Sequence, residues 1–152
     1  MDTSDQPKVR NKTFTYKTRM SWVGGRAGTV RSEGKPDLRL ASPPEFKGEG
    51  GVWTPEELFV ASVESCHMMT FLAFAHKQQV PLVSYESHAN GVLEFIDGDY
   101  RFTRIVLFPS IVVAKSVKEE YVYAVLRDAH AHCLVTNSIS SIIEVNPTII
   151  LQ

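Results

Sequence analysis

The chain has 152 residues, 16 Lys+Arg against 17 Asp+Glu, a formal charge of -1 and 43% hydrophobic residues. That size suits one domain with a real core and excludes a disordered chain. The near-zero charge, with no run of Lys or Arg, speaks against nucleic acid as the main partner, and 2 Cys cannot staple a disulfide-rich secreted scaffold.

The opening MDTSDQPKVR is polar and lacks the apolar core of a signal peptide, so a cytoplasmic protein is expected. Residues 1–8 read as a frayed tail. Residues 9–22 alternate between polar and bulky positions, as a half-buried strand does. Gly24-Gly25-Arg26-Ala27-Gly28 is turn chemistry, and Thr29 to Glu33 reads as the returning strand, which puts Arg26 at a hairpin tip. A short strand around Leu38–Ala41 and a loop through Pro43, Pro44 and KGEGG follow. With no repeat and no linker, a single domain over 1–152 is expected.

Thr54-Pro55-Glu56-Glu57 is a helix start: a capping hydroxyl, Pro at the first helical position and a Glu that completes a capping box. The helix is predicted to run to Gln79, where Pro81 stops it. Its middle is apolar nearly all round, which predicts burial. Leu58 to Ala75 is apolar enough to suggest a membrane span, but Glu64, Ser65, His67 and Thr70 interrupt it, so no membrane is expected. Ser62, Ser65, Cys66 and Met69 share one face of small and soft side chains, which another backbone can approach closely.

Residues 82–95 and 100–114 are β-rich, and Asp97-Gly98-Asp99 turns between them, so a second hairpin is predicted. Ser116 to Glu119 forms another capping box. It opens a helix to about His132, with Tyr121, Val125 and Asp128 or Ala129 on one side. Cys133 lies at its end. Ile142–Leu151 reads as a final strand broken by Pro147, hence an edge. The order predicts an α+β fold with two antiparallel groups and two main helices.

The thiols are the chemical question. Cys66 sits three turns into the long helix, beyond the reach of the helix dipole, and His67 points about 100° away around the helix. An activating cation must then come from another segment; without one, Cys66 is an inert core thiol. Cys133 is the other thiol available within the chain. His130, His132 and Cys133 match no standard zinc spacing, so no metal is expected.

Taken together, Trp53-Thr-Pro-Glu-Glu-Leu-Phe-Val-Ala-Ser-Val-Glu-Ser-Cys66, then Cys133-Leu-Val-Thr-Asn-Ser, and the Gly-Gly-Arg turn at Arg26 resemble the OsmC/Ohr family of osmotically inducible and organic hydroperoxide resistance proteins. The motifs fall in the family's order over nearly the whole chain. The resemblance implies an OsmC-like fold and an intertwined homodimer; the small-residue face and the spacing of Glu56 from Cys66 lead to the expectation of a composite active site at that dimer interface. It implies thiol-dependent reduction of organic hydroperoxides to alcohols. Cys66 would be the peroxidatic thiolate and Cys133 the resolving thiol, joined as a Cys66–Cys133 disulfide in the cycle. Arg26 would stabilise the thiolate and Glu56 would orient Arg26. No metal or organic cofactor is implied. An external dithiol reductant is required: a lipoylated protein, thioredoxin or glutathione.

Ten helical residues separate Glu56 from Cys66 by about 15 Å, so one chain's Glu56 cannot touch its own Cys66. Leu134 departs from the family's usual Pro after the second cysteine, and Glu64 and His67 flank Cys66 in a manner closer to a broad OsmC-like branch. Other readings of the residues remain: a binding module for a small hydrophobic ligand, a redox sensor, or a cysteine hydrolase, for which His67 is badly placed. Arg26 is equally a solvated turn residue and Glu56 an ordinary acid at a helix N-terminus.

Overall fold

The computed structural model describes residues 11–152. The expected tail at 1–8 and the start of the first strand lie outside the described residues. The described residues fall into two compact units that divide between Thr54 and Pro55.

The first unit holds a three-stranded antiparallel sheet of β1 (Arg19–Gly24), β2 (Ala27–Arg31) and β3 (Leu38–Ala41), in that order. Residues 11–18 carry no regular strand, so the alternating pattern there overstated the length of β1. The predicted hairpin is present. Gly24 and Gly25 both have positive φ (106° and 52°), a conformation L side chains adopt at a cost. Gly28 is needed for another reason: a Cβ there would stand 2.4 Å from the Met20 methyl across the ladder. Beyond β3 the chain turns through Pro44–Phe46 and returns beside β3, where Ala41 donates to the Trp53 carbonyl at 3.0 Å.

The second unit is built on α1 (Pro55–Lys77), the hairpin β4 (Leu82–Ile96) and β5 (Asp99–Val113), α2 (Glu119–Ala131), β6 (Ile142–Val145) and β7 (Thr148–Leu151). Asp97 and Gly98 both have positive φ (53° and 85°), the requirement of a two-residue type I′ turn, which explains why β4 and β5 pair over nearly their whole length. Along β5, Ile105, Leu107, Pro109, Ile111 and Val113 are all buried, a clean period of two.

The final segment is two strands rather than one, and both run parallel to β5. The larger sheet is therefore mixed, because α2 acts as a crossover that returns the chain in the direction it left. The break also accommodates Pro109. β6 pairs with Arg104–Leu107 and β7 with Ser110–Val113, while Asn146 donates to the Leu107 carbonyl and Gln152 to that of Val113. Odd-numbered residues of β5 thus face β6 and β7. The missing N–H of Pro109 falls in the gap between those two strands, where no ladder bond is lost.

The helices depart from expectation in two ways. α2 begins at Glu119 behind Lys118, with no side-chain cap, so Ser116 does not cap it; Val117 instead closes a turn onto the Ala114 carbonyl. Its buried side is Val122, Val125, Leu126 and Ala129, while Tyr121 is exposed and donates its hydroxyl to the Gln78 carbonyl. α1 ends at Lys77 and buries one stripe only, Val63, His67, Phe71 and Ala75, although it is apolar on several sides. By length and composition α1 could cross a membrane; its buried stripe packs into the fold's own core. One core cluster joins Phe71, Ala75, Ile111, Val113, Val122, Val125 and Ala129, and a second joins Val63, Ile105 and Leu107.

Candidate functional site

Cys66 and Cys133 come from different segments of the second unit and meet there. Cys66 is carried on α1 and is half-buried; Cys133 follows α2 and is fully buried. Both are free thiols, and Cys66 is near enough to act on the Cys133 thiol. The approach is set by packing. Helix α1 and α2 lie against one another through the core, and α2 unwinds at His132, so Cys133 turns inward directly past the last helical turn. Val135, two residues on, packs with Ile139 and Ile143 onto the Val63–Ile105–Leu107 cluster and anchors that turn.

Burial pushes the Cys133 thiol above its ordinary pKa. The N–H and hydroxyl of Thr136 act in the opposite direction, and the neighbouring Cys66 thiol adds to the upward shift. Cys133 is thus held as a protonated thiol beside a more accessible one. Thr136 also donates to the Cys133 carbonyl at 3.0 Å, which stiffens the turn. Thr136 was not singled out from the sequence. The available signal was a Cys-x-x-Thr spacing at a turn, where a hydroxyl three residues on can reach back to the cysteine.

The small-residue face of α1 is open. Ser62 and Ser65 are exposed and donate back to the Phe59 and Ser62 carbonyls, and Met69 is 58% exposed. This leaves the Ser62–Ser65–Met69 side of α1 exposed. The expected burial of the helix on all sides does not hold within one chain.

Glu56 and Arg26 belong to different units. Glu56 stands in the first turn of α1, with Oε2 buried and without a hydrogen-bond partner among the described residues. The ten helical residues between it and Cys66 keep the two apart along the axis by about 15 Å. Arg26 is at the hairpin tip, as predicted. It is exposed and donates through Nη1 to the Phe46 carbonyl at 2.5 Å, a bond that orders the loop after β3.

Two further groups close to the thiols were not foreseen as a pair. His67 is 1% exposed and neither ring nitrogen has a partner among the described residues. Its ring lies 5.6 Å from that of His130 on α2. Burial, and secondarily His130, lower its pKa to about 4, so it is neutral near pH 7. On the sheet side of α1, Ser87 donates to Glu64 Oε1, and Tyr85 is raised to about 12, first by burial and then by the Glu64 charge. Glu64 is thereby engaged by the sheet.

The chemistry open to this arrangement is that of two adjacent thiols, one reachable and one enclosed. The sequence model described as OsmC-like protein matches residues 48–148. An OsmC-like protein of unknown function from Vibrio cholerae superposes with a TM-score of 0.81 at 25% identity, covering 89% of this chain and 99% of that one. An organic hydroperoxide resistance protein from Elizabethkingia anophelis superposes with a TM-score of 0.74 at 22% identity, covering 93% and 99%. The uncharacterized protein YmaD of Bacillus subtilis is 21% identical over 129 residues, 82% of this chain and 85% of that protein.

Proposed function

Because the chain belongs to the OsmC-like protein family, we propose that it is a soluble, cytoplasmic, thiol-dependent peroxidase that reduces organic hydroperoxides to alcohols. The observation that carries this reading is the meeting of a half-buried Cys66 with a buried Cys133 in the second unit. A structural neighbour named as an organic hydroperoxide resistance protein supports the substrate class.

In this reading the Cys66 thiolate attacks the terminal oxygen of R–O–OH. The O–O bond breaks, RO⁻ takes a proton and leaves as the alcohol, and Cys66 becomes a sulfenic acid. The Cys133 thiol then attacks that sulfur, water leaves, and a Cys66–Cys133 disulfide forms. Two thiols of an external reductant (a lipoylated protein, thioredoxin or glutathione) return the pair to its reduced state and are themselves oxidised. The family resemblance implies that Arg26 would steady the thiolate and Glu56 would orient Arg26. The uncovered Ser62–Ser65–Met69 face of α1 supports pairing with a second copy in a homodimer. The protein needs no metal or organic cofactor for this cycle.

The test is turnover of cumene hydroperoxide with dithiothreitol as reductant. Cys66→Ser should abolish it, and activity retained in that variant would sink the assignment. One equivalent of hydroperoxide without reductant should remove two hydrogens from the intact mass of the wild type, reversibly with dithiothreitol.

A further inference from the structure

A cavity of about 300 Å³ opens on the second unit between α2 and the β6–β7 turn. Leu126, Val145, Pro147 and the Tyr123 ring give it apolar walls, and Arg127 and His130 supply its charged and polar edges. Its size lies at the small end of the range for ligand sites. Tyr123, Arg127 and His130 fall on one face of α2, because they are spaced by three and four residues.

The polar groups are arranged for an anion. Among the described residues no Asp or Glu lines the cavity and Arg127 is in no ion pair. The neighbouring Asp128 points about 100° further round the helix. His130 lines the cavity, its Nδ1 is buried without a partner among the described residues, and its ring lies 5.6 Å from that of His67. A planar guanidinium fork beside a small apolar chamber suits a planar carboxylate on an apolar body. A fully hydrated anion such as phosphate gains nothing from walls of Leu, Val and Pro.

We propose that this cavity is a binding site for a small monocarboxylate with an apolar body, distinct from the thiol pair. Arg127 holds the carboxylate, His130 meets its second edge, and Leu126, Val145 and Pro147 cover the body. His130 is the link to the rest of the molecule: its carbonyl accepts from the Cys133 N–H at 3.3 Å, and its ring touches that of His67.

The experiment is a titration of the full-length reduced protein with benzoate, followed through the aromatic ¹H–¹³C signals of His130 and Tyr123. Saturable shifts of both are expected. The uncharged isostere benzamide should bind about tenfold more weakly, and Arg127→Met should weaken benzoate by a similar factor. Cys66→Ser should bind benzoate like the wild type. The proposal is overturned if benzoate and benzamide bind wild type equally, or if His130 and Tyr123 do not shift. It is equally overturned if Cys66→Ser abolishes binding, which would move the site to the thiols. The benzamide comparison uses unaltered protein, so it decides the matter even if Arg127→Met folds poorly.

Discussion

Replacing His67 by Leu should change the acid stability of the protein by an amount the structure sets. His67 is 1% exposed with both ring nitrogens unpartnered, and its pKa is lowered from 6.5 to about 4, by burial first and by His130 second. The unfolded chain therefore takes up a proton near pH 6.5 that the native state refuses until about pH 4. Stability must fall as pH drops below 6.5, and the loss is complete below 4. The imidazole alone contributes a loss of about 0.8 kcal/mol at pH 6, about 2 kcal/mol at pH 5 and about 3 kcal/mol at pH 4. Leu fills similar space and does not titrate. At pH 7 the variant should lie within about 1.5 kcal/mol of wild type, as size-conserving core changes do. At pH 5 the difference should have moved by about 2 kcal/mol in favour of the variant. Guanidinium unfolding followed by circular dichroism, at one fixed protein concentration and at pH 7, 6 and 5, measures this. Fixing the concentration removes any contribution from subunit association. Titrating groups that do not interact with His67 are shared by both proteins and cancel in the comparison. If the two stabilities fall in parallel from pH 7 to 5, His67 is not a buried neutral imidazole and the reasoning fails.

Gly91→Ala should lower stability by about 1–3 kcal/mol, because the added Cβ would stand 2.4 Å from Val60 Cγ2 and 2.9 Å from the Phe102 ring, itself stacked on Phe59 at 4.9 Å; an unchanged melting temperature would mean that α1 does not press on β4. Gly98→Ala, at φ 85°, should cost about 1–2 kcal/mol through the type I′ turn, whereas an unchanged denaturation midpoint would show that the hairpin tolerates another turn. Ultraviolet titration should show Tyr85 ionising near pH 12, and that transition should vanish in Tyr85→Phe; an unaltered curve in the variant would deny the buried environment. Cys133→Ser should leave the first peroxide equivalent reactive but stop disulfide formation, so that dimedone captures a Cys66 sulfenic acid. A captured adduct equally abundant in wild type would remove Cys133 from the resolving role.

Local chemistry made much of this fold legible in advance. Gly24-Gly25 and Asp97-Gly98 specify their hairpins, since positive φ is cheap for few residues. Pro55 after Thr54 starts α1, and the alternation of Ile105 to Val113 assigns a strand face. These are near-neighbour effects, and near neighbours are what a sequence displays. Where the local signal was ambiguous it misled. Ser116 resembles a cap but stands outside α2, and the pattern over 11–18 resembles a strand without pairing as one.

Other features depended on segments far apart in the chain. Pro147 splits the last strand into β6 and β7, both parallel to β5; only the path of α2 decides their direction and lets Pro109 sit opposite the gap. α1 looked apolar on every side, yet only the stripe through Val63, His67, Phe71 and Ala75 is fully buried, while Ser62, Ser65 and Met69 stay exposed, because the sheet and α2 contact it from one direction. His67 and His130 are 63 residues apart in number and share one buried contact that no local pattern announces. Cys66 and Cys133 could be named from their motifs as a pair of thiols. That one is enclosed and the other reachable, side by side, follows from where α2 unwinds and what Val135 packs against, which is a property of tertiary packing alone.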